Sequence, residues 1–238
     1  MGGAVREGFF VEMGAFDGVT YSNSYLLEKA LGWSGLLVEA NPISFEELQQ
    51  NRPGQQLVHA AVCNPALTPA PTPQLKRLLE HTHASPCAPG QVHFAEHPSK
   101  AVSGILEFMT VGFLESWYTD ERLRGHVLEI HCVRCAPLGQ LLAEKNVTRA
   151  DVFSLDVEHA ELVVLQTLDF MAFRSTIWLI ESGPATKDNG IRKLLSAHGY
   201  AYLGNFARSL WFVHSDFIDT ITARVRLEHA SNNIPKNE

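Results

Sequence analysis

Short apolar runs recur along the chain, and most are followed by a stretch with helical spacing. Phe9–Met13 reads as a buried strand and Tyr25–Leu31 as a helix. Gly35–Glu39 reads as a second strand. Ser44–Gln50 reads as a helix, with Ser44 and the pair Glu46-Glu47 as its start signal. Gln56–Val62 is a third strand, and the Pro- and Ala-rich stretch Asn64–Gln74 a loop. Weaker strand signals follow at Gln91–Phe94 and Val127–Val133, with another short segment at Ser103–Phe108 and a short helix at Leu138–Glu144. Asp151–Val157 is almost continuously apolar, as expected of a strand buried on both faces. Ala160–Leu168 reads as helix, Ile177–Glu181 as strand, and Ile191–His198 as a helix ended by Gly199. Tyr200–Leu203 and Leu210–His214 close the pattern as a hairpin. Repeated strand–helix units predict an α/β fold, a mainly parallel, doubly wound Rossmann-like sheet with helices on both faces. The hairpin predicts one antiparallel strand near the edge.

With 238 residues, 45% of them hydrophobic, the chain can build one large domain. That domain is expected over 1–222, with an insertion or lid at about 64–100 and a polar tail over 223–238 that frays. Net charge is −7 and no Lys/Arg block stands out, which disfavours nucleic acid as a partner. No apolar run approaches the ~18–20 residues of a membrane span. The first eight residues carry no signal-peptide core, so a cytoplasmic location is expected. The chain enters a core strand almost at once. This points to a first helix that is missing or supplied by a partner, and a missing segment would take any targeting signal with it. Cys63, Cys87, Cys132 and Cys135 are too few for a disulfide scaffold in a chain of this length. Cys132-Val133-Arg134-Cys135 has a zinc-ligand spacing, but without a second pair it reads as structural. Asn146-Val147-Thr148 matches a glycosylation acceptor, which has meaning only in a secreted chain.

The candidate chemistry lies in carboxylates. In open α/β sheets, ligands bind beyond the carboxyl ends of parallel strands. Glu12 and Asp17 flank the first turn, Glu39 ends strand two, and Asp156 and Glu181 end later strands. Capping and turn roles compete for each of them. Gly14 and Gly18 permit a tight turn. Glu39 lies 21 residues after Gly18, close to the roughly 20-residue spacing of a ribose-binding acid. The turn reads Gly-Ala-Phe-Asp-Gly, and Phe16 stands where a second glycine would let a pyrophosphate approach. A cofactor without phosphates fits better: S-adenosylmethionine, whose ammonium and ribose suit acids and whose carboxylate suits backbone N–H groups.

Phe10–Ser24 resembles the opening motif of the FkbM family of S-adenosylmethionine-dependent methyltransferases. Gly32–Pro42 resembles its second motif and Ala60-Ala61-Val62 its third. Ser103-Gly104-Ile105 matches a short Ser-Gly element, and Asp151–Glu161 is similar to the late signature. The resemblance runs in order from about Phe9 to Phe217. It implies a class I methyltransferase fold with seven strands, the last antiparallel. It implies methyl transfer to oxygen, often a hydroxyl of a sugar or other small molecule, so a small-molecule or glycan acceptor is the expected partner. By position, Glu12, Gly14, Phe16 and Asp17 would line the methionine end of the cofactor site, and Gly18 would also belong to that site. Glu39 would hold the ribose, with Asn41 near the adenine and Ala61 at its edge. Asp156 would stand beside the sulfonium and the acceptor, with Asp156, Glu158 and His159 as candidate bases. Acids at Glu158 and Glu161 also suit the first turn of a helix.

Two features depart from the family pattern. His159 stands where relatives have glycine, and a Ser-Gln-x-Gly segment that precedes strand one in relatives is not seen before Phe9. A degenerate fold serving as a binding or scaffold module is therefore the alternative function. His81, His83, Cys87, His93 and His97 fall in the insertion, where histidines are usually solvated, and no metal is expected there. A lid role suits the insertion better. Trp117, Tyr118 and Trp211 could stack on a sugar, but core roles are the stronger expectation.

Overall fold

A computed structural model describes residues 7–64, 70–99, 102–119, 123, 125–157 and 160–219. The main sheet is built from β1 (Phe9–Met13), β2 (Ser34–Glu39), β3 (Gln56–His59), β8 (Arg149–Leu155), β9 (Arg174–Glu181), β10 (Tyr200–Phe206) and β11 (Ser209–His214). Its order is β10-β11-β9-β8-β1-β2-β3. Pairings among β3, β2, β1, β8 and β9 are parallel, whereas β11 runs antiparallel to both β9 and β10. This is the seven-stranded sheet with an antiparallel last strand that the resemblance implied.

Strand periodicity decides which side chains meet which helices. Val11, Met13, Leu36 and Val38 point to one face, where they pack with residues of α5 (Leu138–Glu144), α6 (Glu161–Leu165) and α7 (Ala185–Ala197). Phe10 and Leu37 point to the other face and meet α1 (Tyr25–Leu31) and α2 (Pro42–Asn51). Phe153 stacks on Trp178 at 4.2 Å, and both are fully buried. The helices between β1, β2 and β3 thus cover one face and α5, α6 and α7 the other, as right-handed crossovers on a sheet wound both ways require.

The expected third strand, Gln56–Val62, is two strands. Gln56–His59 joins the main sheet, and β4 (Ala61–Val62) leaves it to pair with β7 (Glu129–Ala136). The break falls at Ala60, whose N–H is held by the Glu39 carbonyl at 3.0 Å. A second sheet then forms in the order β4-β7-β5-β6, with β5 at Gln91–Glu96 and β6 at Gly104–Ile105. Two helices flank it, α3 (Pro73–His81) and α4 (Val111–Trp117). Both begin with a threonine cap: Thr72 accepts from Leu75 N and Thr110 from Phe113 N. Leu75, Ala95, Leu106, Leu114, Tyr118 and Leu128 give this region its own small core. The segment outside the main sheet therefore reaches Ala136, beyond the expected 64–100.

The cysteines correct a further expectation. All four are paired, Cys63 with Cys135 and Cys87 with Cys132. The Cα–Cα distances are 5.5 and 5.3 Å, within the range a disulfide spans. The bonds are nested: Cys63–Cys135 joins the two roots of the inserted region, and Cys87–Cys132 lies inside it. Neighbours in the Cys-x-x-Cys segment project to opposite faces of β7, so each finds a different partner. No helix among the described residues is long and apolar enough to cross a membrane.

Candidate active site

A cavity of about 300 Å³ opens at the carboxyl ends of β1, β2 and β8, under a roof supplied by the insertion. The main sheet contributes its acidic floor. Gly14 has φ +75°, and a Cβ there would lie 1.7 Å from the Asp156 carbonyl oxygen. Only glycine lets the first turn pass this close to the end of β8. Gly14 N and Ala15 N both donate to the Val38 carbonyl, at 3.1 Å each, which pins the turn to β2. Phe16 adopts φ +52° and donates its N–H to Glu39 Oε2 at 2.7 Å.

Glu39 is buried. Its Oε1 accepts from Asn41 N at 2.6 Å, so one N–H from each of two turns fixes the carboxylate. Burial pushes its pKa up and these backbone donors oppose the rise. A carboxylate oxygen accepts more than one bond, which leaves capacity for ribose hydroxyls. Asn41 lines the cavity and also caps α2, accepting from Ile43 N and Ser44 N. Ala60, Ala61 and Val62 form the adjoining wall.

Glu12 lines the cavity, but its oxygens face the chain. They accept from Ser22 Oγ at 2.7 Å, Asn23 N at 2.7 Å and Ser24 Oγ at 2.5 Å. Burial raises its pKa, while these donors and Arg52 act the other way. Glu12 therefore shapes the loop that borders the cavity. Asp17 and Gly18 are not in the cavity wall, which corrects the expectation that they border the cofactor. Asp17 accepts from Val19 N, Thr20 N and Thr20 Oγ1, an Asx-type turn. Gly18 packs under α2, where a Cβ would come 2.5 Å from Leu48.

Asp156 lines the cavity at the end of β8 and is exposed, with its N–H bonded to the Met13 carbonyl. Glu158 and His159 lie outside the described residues. Glu161 is fully buried. It holds the following turn through Val157 N at 3.1 Å and binds Lys187 Nζ at 2.5 Å. Asp156, Glu161 and Glu181 bring oxygens within 4.8 Å of one another. The Lys187 ammonium, which also donates to the Glu181 carbonyl, already balances charge there.

Three contributors escaped the sequence. Arg52 is completely buried and donates to the Gly18 carbonyl at 2.7 Å, to Ser24 Oγ at 3.2 Å and to Glu28. It braces the first turn from below, and nothing in the local pattern marks a buried arginine. Asn23 Nδ2 donates to Ser154 Oγ at 2.9 Å, tying the loop after that turn to β8. The apolar roof comes from Phe94, Val102, Ile105, Phe108, Met109 and Phe113, all in the insertion. The Ser-Gly-Ile element at Ser103–Ile105 was the one sequence signal for it. Insertion histidines are partnered rather than solvated where they are buried. His93 Nδ1 meets Glu107 at 2.6 Å, and His97 bonds the Trp117 carbonyl and Ser99 N. Tyr118 is a core residue whose hydroxyl donates to the Val102 carbonyl.

The cavity can hold a cationic, phosphate-free cofactor. Among the described lining residues there are three carboxylates and no Lys, Arg or His. This field favours a sulfonium and an ammonium and offers no counter-charge to a pyrophosphate. Residues 12–202 match the family model for the methyltransferase FkbM domain. No curated protein sequence matches the chain. Among solved structures, a TehB-like SAM-dependent methyltransferase from Corynebacterium glutamicum is 10% identical over 89% of this chain and 82% of its own, with a TM-score of 0.39. Aeropyrum pernix fibrillarin, solved with natively bound S-adenosyl-L-methionine, is 11% identical over 88% and 66%, with a TM-score of 0.41. Neither likeness bears on the assignment, which stands on the family match and the chain's own topology. A sheet of this order, a glycine turn against β8 and a match over most of the chain place this protein in the FkbM methyltransferase family, as an S-adenosylmethionine-dependent methyltransferase.

Proposed function

We propose that the protein methylates a hydroxyl oxygen on a sugar or other small molecule. The supporting observation is the position of Asp156. Of the three carboxylates lining the cavity it alone is exposed, whereas Glu12 and Glu39 are buried. An exposed carboxylate at the cavity rim can meet an acceptor arriving from solvent, align its hydroxyl and hold the proton that leaves it. When bound, S-adenosylmethionine supplies the electrophilic methyl group. Glu39 would hold its ribose, Asn41 and the Ala60–Val62 wall would border its adenine, and the Gly14 turn leaves room for its amino-acid end. The insertion acts as the lid. Its apolar side chains exclude water and suit an acceptor with an apolar face beside the reacting hydroxyl.

Calorimetry with S-adenosylhomocysteine tests the cofactor site, and turnover on a panel of hydroxylated acceptors tests the reaction. Asp156→Asn should bind S-adenosylhomocysteine as the wild type does and lose about 10²- to 10⁴-fold in turnover. Undiminished turnover by this variant would remove Asp156 from the reaction. Cofactor binding with no turnover on any acceptor would favour the scaffold alternative.

A further inference from the structure

The sequon Asn146-Val147-Thr148 and the two disulfides are independent observations with one consequence. We propose that this protein matures in an oxidising, extracytoplasmic compartment and carries an N-linked oligosaccharide on Asn146. This differs from the cytoplasmic location expected from the N-terminal residues, and it does not depend on which acceptor is methylated.

Disulfides persist in oxidising compartments and are rare where thiols are kept reduced. Here no cysteine is free. Cys132 is exposed, so its bond to Cys87 is open to any reductant in the surroundings. Each bond forms as two thiols give up two protons and two electrons to a disulfide-carrying oxidoreductase of that compartment.

The sequon is placed to react. Asn146 follows α5 in a tight turn, with φ +57° and its N–H on the Ala143 carbonyl. Asn146 and Thr148 are exposed, and Val147 between them is buried and anchors the turn. The Asn146 side-chain amide has no hydrogen-bond partner among the described residues, so Nδ2 is available. In the transfer, Nδ2 forms a bond to the anomeric carbon of a lipid-pyrophosphate-linked oligosaccharide. The carbon–oxygen bond to the pyrophosphate breaks, the lipid pyrophosphate leaves with the electron pair, and the amide loses one proton. The turn precedes β8, and Asp156 follows that strand's other end. Some seven residues of extended chain separate them by about 23 Å. A glycan at Asn146 leaves the cavity mouth clear.

The test uses the full-length protein isolated from its own source. Alkylation before and after reduction counts free and paired cysteines. N-glycosidase digestion in heavy-oxygen water then converts a glycosylated Asn146 to labelled Asp, read by peptide mass spectrometry. The expected result is no alkylated cysteine before reduction, four after, and label at Asn146. Thr148→Ala should lose the glycan with Asn146 still present, and Asn146→Gln should keep S-adenosylhomocysteine affinity unchanged. Four alkylatable thiols in the native protein, or an unmodified Asn146 in the oxidised protein, would overturn the proposal.

Discussion

The main sheet and the inserted region reach stability by different means, and the cavity lies where they meet. The main sheet buries apolar side chains on both faces, with Phe10, Val11, Leu36, Leu37 and Phe153 all at zero exposure. Such a sheet holds its strand ends in fixed positions without covalent help. The inserted region has a two-residue strand at each edge of its sheet and a small core of its own, and two disulfides close it. Chemistry divides along the same line. The rigid half supplies the carboxylates, whose positions have to be fixed. The stapled half supplies apolar cover.

Paired glycine substitutions probe that division most severely. Gly14→Ala places a methyl group 1.7 Å from a backbone oxygen at φ +75°, and neither strand can yield. A loss of about 4–5 kcal/mol is expected, at the upper end for a single change, together with loss of S-adenosylhomocysteine binding. Gly104→Ala in the insertion meets only the Met109 Cε, at 3.2 Å, the far end of a flexible side chain. It should change melting temperature little and spare the cofactor. Equal damage from both would end the distinction between a rigid floor and an adaptable roof.

The disulfides give the next largest effect. Replacing either pair by serine should cost about 2–5 kcal/mol. The pairs should differ in what they do to the site. Cys63 follows the Ala60–Val62 wall directly, so Cys63→Ser with Cys135→Ser should also weaken S-adenosylhomocysteine binding. Cys87→Ser with Cys132→Ser lies away from the cavity lining and should leave affinity unchanged. Thermal melts and calorimetry on both double variants decide this.

The same division explains what the sequence made legible. Phe9–Met13, Tyr25–Leu31 and Leu138–Glu144 fall at their expected bounds because local periodicity and burial agree there. Gly14, Glu39 and Asp156 are readable because a turn against a sheet edge dictates residue type. The inserted region is not readable in this way. Its strands are short, its helices begin within Pro-rich or weakly patterned stretches, and its cysteine pairing depends on tertiary neighbours. Asp17 shows the limit even within a motif. The spacing that suggests a ligand contact serves equally for an Asx turn, and only the positions of Val19 and Thr20 decide between them. Arg52 was invisible because its partners come from the Gly18–Glu28 stretch, remote from it in sequence.

Within the acidic floor, Glu39→Ala removes the acceptor proposed for the ribose and should weaken S-adenosylhomocysteine binding about 10- to 100-fold. That corresponds to the ~1.5–3 kcal/mol of a hydrogen bond to a charged group. A side chain that served only the two turns would instead lower stability and leave affinity nearly intact.

The smallest effect is a dependence on pH, and its sign separates folding from binding. Burial raises the pKa of Glu12 and Glu39 in the folded chain above the ordinary 4.5. Just above 4.5 the folded chain therefore holds more protons than the unfolded one. The contribution of these groups to stability is full below 4.5 and is lost as pH rises through their raised folded values. Cofactor binding runs the other way. An ammonium or sulfonium near the floor favours ionised carboxylates, so the thermal shift given by S-adenosylmethionine should grow over the same rise in pH. Melting scans with and without S-adenosylmethionine from mildly acidic to neutral pH should show the two curves diverging, and Glu39→Gln should reduce the divergence. Parallel curves in the wild type would mean that the floor carboxylates do not sense the cofactor's charge, leaving their burial to serve only the two turns that Glu39 joins.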